Sequence, residues 1–169
     1  MITGFQQKFL AFVLITFRLA ERGFVNKKIL VTGGTGMAGS TFNNLEKMLV
    51  DNQPDAIIHL AAKVGGVKGN SDYVADFFRD NIMINTNVLQ SAVEFKVPKV
   101  LSLLSTCIYP DNPTYPLTED QIHNGEPHRS NFGYAYAKRM LEVHSRATRS
   151  QYGLNYITAV PNNIYGPKD

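Results

Sequence analysis

Past residue 26 the chain passes repeatedly from short, continuous apolar runs to longer stretches in which apolar residues recur at helical spacing. Residues 27–32 (KKILVT) have a charged start, an unbroken apolar run and glycines directly behind it, which predicts a short buried strand. Residues 55–62 and 99–104 repeat that pattern, and 156–160 close the series before Pro161. The interval 40–54 holds one helix. Over 71–95, Phe78, Ile82, Leu89 and Val93 fall on or near one helical face, with Asn85 a polar interruption, and Val97-Pro98 ends the stretch. A turn-rich loop carrying Pro110, Pro113, Pro116 and Pro127 precedes a helix predicted over 132–152, with Gly153 as its stop. Strands alternating with helices predict a parallel sheet with right-handed crossovers.

The run 9–17 (FLAFVLITF) precedes this series, bounded by Lys8 and Arg18. A bilayer span takes about 20 apolar residues, so the run predicts no membrane span. It has the length of a signal-peptide core. Behind it, however, stands Arg18-Leu19-Ala20-Glu21-Arg22, where a small-residue cleavage site is wanted. Residues 1–26 are therefore set apart as an N-terminal extension of unknown role, either packing on a truncated dinucleotide-binding domain formed by 27–169 or foreign to the ancestral fold of that domain.

Composition narrows the classes. With 169 residues, 44% hydrophobic, 18% charged and a net charge of +3, the chain is neither disordered nor too short for a core. Its basic residues are scattered except for Lys138, Arg139, Arg146 and Arg149 on the predicted 132–152 helix. That group reads as a solvated helix face, so no nucleic-acid partner is expected. The single cysteine, Cys107, excludes an internal disulfide and a multi-thiolate zinc site. No metal and a reducing, cytoplasmic home are expected.

Gly33, Gly36 and Gly39 stand three apart between a strand and a helix, where a glycine turn and a helix N-terminus let backbone N–H groups meet a pyrophosphate. A merely tight turn is the other reading of that spacing. His59, flanked by apolar residues, reads as a core histidine. Tyr134 and Lys138, at i and i+4, share one helix face, where an ammonium favours the phenolate. Ser105 stands at the carboxyl end of a strand, where open α/β sheets bind ligands.

Gly-rich turn, strand-end Ser105 and Tyr134-x-x-x-Lys138, in that order, resemble the short-chain dehydrogenase/reductase superfamily. The segments ILVTGGTGMAGS, IIHLAAKVGG, LSLLSTCIYP, HNGEPHRSNFGYAYAKRM and AVPNNIYGPKD resemble, within it, the GDP-L-fucose synthase family. Members of that family epimerise and reduce GDP-4-keto-6-deoxymannose with NADP(H). The resemblance implies that Tyr134 protonates the C4 oxygen and that Lys138 lowers the Tyr134 pKa and holds the nicotinamide ribose. It also implies that Ser105 binds the 4-keto oxygen and that Cys107 is the base at C3 and C5. Gly33, Thr35, Gly36, Met37, Gly39, Ala61, Ala62, Lys138, Pro161, Asn163 and Ile164 would line the cofactor. Asn163 and Lys168 would meet the nucleotide sugar, and a homodimer would form through the helix bearing Tyr134 and Lys138.

The sequence departs from that family in three places. Lys168 stands where a histidine acid is expected. Residues 40–54 leave no room for the helix, strand and helix of a complete Rossmann half, so the second strand is expected to be missing. Asp51 and Asp55 are then not ribose binders, for no strand precedes them. A single right-handed crossover in that interval puts the first helix on the sheet face opposite to its usual one, which predicts weak cofactor binding. Finally, the family continues beyond the position of Asp169 into further sheet strands and a sugar-nucleotide domain, so the C-terminal substrate domain is expected to be missing. The expected fold is an incomplete Rossmann-like α/β sheet. Two functional readings stand: an epimerase/reductase, and a non-catalytic remnant that at most binds a partner.

Overall fold

The computed structural model describes residues 11–19, 24–33 and 41–162. Strands β1 (Ala11–Leu19), β2 (Phe24–Gly33), β3 (Ala56–His59), β4 (Lys99–Leu103) and β5 (Asn155–Ala159) form one sheet in the order β1-β2-β3-β4-β5. β2 to β5 are parallel, and β1 lies antiparallel on the β2 edge. The helices are α1 (Thr41–Asn52), α2 (Gly66–Asp72), α3 (Val74–Glu94) and α4 (Phe132–Tyr152). No helix among the described residues is long and apolar enough to cross a membrane.

From Ala11, where the described residues begin, the N-terminal apolar run is thus a sheet strand. Ile15 pairs with Ile29 and Val13 with Val31. The boundary expected between residues 26 and 27 falls inside β2, because Phe24 already pairs with Leu19. β2, β4 and β5 end at or within one residue of expectation, whereas β3 is shorter than 55–62. α4 has the expected bounds, and Gly153 stops it in the left-handed region at φ 67°. The 71–95 stretch begins as two helices broken at Tyr73. Its buried face carries Phe77, Ile84, Val88, Leu89 and Ala92 together with Asp80, Asn81 and Asn85. Phe78, expected inside, is 42% exposed. The apolar residues alone point one step around the helix from the face that polar partners draw inward.

All three crossover helices lie on one face of the sheet. Leu45 and Leu49 of α1, Val88 and Leu89 of α3 and Leu141 of α4 share one core with the inward residues Leu30, Ile57, Val100 and Tyr156. This is what sequential right-handed crossovers dictate. The residues between them, Val31, Ile58, Leu101 and Ile157, stand in register across β2–β5 on the other face and are outside that core.

A polar network pierces the helix side. His59, fully buried, meets Thr32 Oγ1 at Nδ1 (2.9 Å) and Asn85 Oδ1 at Nε2 (3.0 Å). Asn85 donates Nδ2 to the Ala137 carbonyl (3.3 Å), so its oxygen faces the ring and accepts from Nε2–H. Nδ1 is then the acceptor of the Thr32 hydroxyl. His59 is the satisfied core histidine expected. Burial, and secondarily the Lys138 charge, lowers its pKa from 6.5 to about 3. In the unfolded chain the ring takes up a proton near pH 6.5 that the folded chain refuses until about 3, so stability falls as pH falls through that window. Between pH 7 and 5 the loss is about 2 kcal/mol. Urea titrations at pH 5, 6 and 7 are expected to show this slope in the wild type and a flatter one in His59→Gln; parallel slopes would contradict it.

Candidate functional site

The carboxyl end of β4 runs through Leu104 and Ser105 into a 3₁₀ turn at Thr106–Ile108. Ser105 is extended (φ −157°, ψ 151°), which sets it at the strand tip, two residues before Cys107 and close enough for its hydroxyl to act on the thiol. α4 packs beside this turn and brings Tyr134 and Lys138 to it one helical turn apart. Lys138 is 2% exposed; its Nζ donates to the Leu103 carbonyl at 2.8 Å and lies 5.9 Å from the Tyr134 ring centroid. Ser105, Cys107, Tyr134 and Lys138 therefore converge at one place.

Burial governs the protonation of all the ionisable groups here. It lowers Lys138 to about 8, partly opposed by Cys107. It pushes the Cys107 thiol up, with the Ser105 hydroxyl and the charges of Lys138 and Arg139 pulling it back. Tyr134 is pushed up to about 12, by burial first and by Cys107 second. The resemblance implies a phenol lowered by Lys138, and the geometry differs: the ammonium is directed at Leu103 and faces the ring, while the hydroxyl loses water. The protonated phenol is the stable form at neutral pH.

The cations of α4 do not form the solvated face expected of them. Arg139 is 3% exposed and donates to the Ile108 and Gly125 carbonyls at 2.6 and 2.8 Å. Arg149 donates to the Tyr156 carbonyl at 2.6 Å. Arg146 alone of the four is exposed, and it pairs with Glu142. Charge and spacing in a helix carry no information on carbonyls delivered by a loop distant in sequence.

At the end of β3 the loop 60–65 approaches β2 closely: a Cβ on Gly33 would stand 3.1 Å from the Leu60 Cβ. Ala61 is buried and Ala62 half-buried. Asn81 holds this loop through both backbone groups of Lys63, at 2.9 and 3.0 Å, and Asp80 holds the Lys63 ammonium at 2.7 Å. Sequence reasoning missed Asp80 and Asn81; their one signal was a polar pair next to the apolar stripe of α3. Pro161 is half-buried. Thr35, Gly36, Met37, Gly39, Asn163, Ile164 and Lys168 lie outside the described residues.

These residues fit the reacting end of a nicotinamide cofactor and not its adenosine end. A buried lysine, a protonated phenol and a serine hydroxyl suit a hydride acceptor and a ribose. Beyond β2 the neighbouring strand is β1, and Ala11 stands opposite Gly33. That strand begins where a parallel one would end, so its last residues cannot reach the adenosine. Asp55 sits at the opposite end, binding Lys27 Nζ (2.7 Å) and the Lys28 N–H (2.8 Å). Among the described residues no group of His, Cys, Asp and Glu could hold a metal ion.

The chain is 44% identical to the GDP-L-fucose synthase of Dictyostelium discoideum, over 85% of this chain and 53% of that protein. It is 41% identical to the probable GDP-L-fucose synthase of Drosophila melanogaster over the same shares. It spans about half the length of the curated relatives it matches. Among solved structures, a GDP-L-fucose synthetase from Naegleria fowleri bound to NADP superposes with a TM-score of 0.69 at 37% identity, covering 79% of this chain and 41% of that one. The profile of the NAD dependent epimerase/dehydratase family matches residues 40–169, and with the strand-end serine, the tyrosine and the buried lysine in place, the chain belongs to that family.

Proposed function

We propose that this chain carries the acid–base chemistry of a GDP-L-fucose synthase-type epimerase/reductase, acting on GDP-4-keto-6-deoxymannose with NADPH. The observation that supports it is the convergence of Ser105, Cys107, Tyr134 and Lys138 at the carboxyl end of β4. The Ser105 hydroxyl holds the 4-keto oxygen. With that oxygen polarised, the hydrogens on C3 and C5 are acidic, and the Cys107 thiolate removes them; the enolate so formed keeps its charge on the oxygen held by Ser105. Lys168, by its place in the sequence, returns a proton to the other face. Bound NADPH supplies the hydride that reduces C4, and Lys138 with Gly33, Ala61, Ala62 and Pro161 would hold it. Tyr134 donates its proton to the C4 oxygen, and its position near pKa 12 keeps it in the donor form.

A homodimer goes with this reading. Phe78, Phe132 and Met140, 42%, 47% and 38% exposed, form with Val74, Ala75 and Tyr136 an apolar hollow on the outer side of α3 and α4. A reducing cytoplasm suits a chemistry that needs Cys107 free.

The second reading, a non-catalytic partner-binding chain, is favoured by the sheet having all its crossover helices on one face. Solvent exchange separates the two. In D₂O the chain is expected to place deuterium at C3 and C5 of GDP-4-keto-6-deoxymannose, with no NADPH present, as followed by NMR or mass spectrometry. The rate should rise with pH through the neutral range, because burial holds the thiol above its ordinary value. Cys107→Ser should abolish it. Exchange no faster than without protein would exclude the enzyme reading.

A further inference from the structure

Residues 103–108 are held to α4 at both ends by two consecutive cations. Lys138 takes the Leu103 carbonyl at 2.8 Å and Arg139, through Nε, the Ile108 carbonyl at 2.6 Å. Ser105 and Cys107 lie between those two anchors. The second anchor has the wider reach. Arg139 Nη1 takes the Gly125 carbonyl at 2.8 Å, and the Asp111 N–H meets the Glu126 carbonyl at 3.0 Å. One guanidinium thus ties the beginning of the 109–126 loop to its end.

Of the turn's three residues only Ile108 packs into the core; Thr106 is exposed and Cys107 half-buried. The turn's two backbone hydrogen bonds, from Ile108 N–H to the Ser105 carbonyl and from Tyr109 N–H to the Thr106 carbonyl, are both 3.2 Å, at the long end of the normal range. Arg139 is 3% exposed, its guanidinium carbon lies 5.3 Å from the Tyr136 ring centroid, and its Nη2 has no hydrogen-bond partner among the described residues. Burying a cation with a donor unmet is unfavourable by itself. What the fold gains in return is a fixed turn.

We propose that Arg139 is the positioning residue for Cys107, fixing the Thr106–Ile108 turn on α4 so that the thiol stays beside Tyr134 and Lys138. The proposal rests on the reading of Cys107 as the base. Arg139 acts through the turn and not on the substrate. A lysine is a poor replacement, because a single ammonium lacks the planar fork that spans the carbonyls of residues 108 and 125.

Cys107 is the sole cysteine of the chain, so iodoacetamide alkylation reads this thiol alone and needs neither cofactor nor nucleotide sugar. The pH-independent rate constant of the thiolate, obtained from rates across pH, reports access to the sulfur apart from its ionisation. Arg139→Met is expected to raise that constant on the order of tenfold by freeing the turn, and Arg139→Lys by less. Arg149→Met removes an α4 cation bound to the Tyr156 carbonyl, away from the turn, and is expected to leave the constant within about twofold. Circular dichroism checks that each variant is folded; should Arg139→Met fail to fold, Arg139→Lys carries the comparison. A constant unchanged in the folded Arg139 variants, or raised equally in Arg149→Met, overturns the proposal. Missing deuterium exchange in the wild type would instead overturn the role of Cys107 as base and leave this alkylation pattern standing.

Discussion

Tyr134→Phe is expected to lower the reductive consumption of NADPH with GDP-4-keto-6-deoxymannose by about 10²–10⁴-fold, the range for loss of a positioned general acid. Deuterium exchange at C3 and C5 should fall by no more than about tenfold, since Cys107 takes those protons and Ser105 still holds the ketone oxygen. The reason for the split lies in the protonation states. Burial and the neighbouring Cys107 place Tyr134 near 12, so around neutral pH the phenol is intact and donates from its neutral form. Lys138, lowered to about 8, is bound to the Leu103 carbonyl and does not draw the phenol toward neutrality. Phenylalanine keeps the ring that the ammonium faces and removes only the hydroxyl, so the variant should fold. Equal loss of reduction and exchange would show that Tyr134 works by holding the turn and not by donating a proton.

What could be read in the sequence and what could not divide along physical lines. α4 was legible to the residue because its start comes after a proline-rich loop and its end is a glycine that takes φ 67°. The parallel strands were legible because they are continuous apolar runs bounded by glycine, proline or charge. Ser105, Tyr134 and Lys138 were legible as types at a spacing and Cys107 only through the family resemblance, and their meeting is a consequence of strand end and helix face. The failures concern partners remote in sequence. Nothing near Arg139 or Arg149 in the chain announces the carbonyls of Ile108, Gly125 and Tyr156. Nothing around Asn85 announces His59, and without it the helix was rotated so that Phe78 pointed inward. The strand β1 was missed for the same reason: an apolar run becomes a strand by virtue of the edge it pairs with, and its register with β2 is fixed by that edge.

NADPH is expected to bind this chain with a dissociation constant of about 100 µM or weaker, as measured by calorimetry; micromolar or tighter binding would show that the sheet topology does not limit cofactor affinity. Open α/β sheets bind dinucleotides in the crevice formed where the strand order reverses and successive helices leave for opposite faces. Here β2, β3, β4 and β5 are neighbours in chain order, and α1, α3 and α4 all pack on the side of Leu30, Ile57, Val100 and Tyr156. No such reversal exists among the described residues. On the far side of β2 the antiparallel β1 presents its start, Ala11, where the adenosine half needs the end of a strand. Among the described residues, the groups left to hold the cofactor are those at its reacting end: Lys138 and the backbone around Gly33, Ala61 and Pro161. A handful of hydrogen bonds, each contributing about 1 kcal/mol net, amounts to about 5 kcal/mol, a dissociation constant of a few hundred micromolar. The exchange reaction at Cys107 draws on none of these cofactor contacts. A chain with this sheet is therefore expected to epimerise more readily than it reduces, and reduction should emerge only as NADPH is raised toward millimolar concentrations.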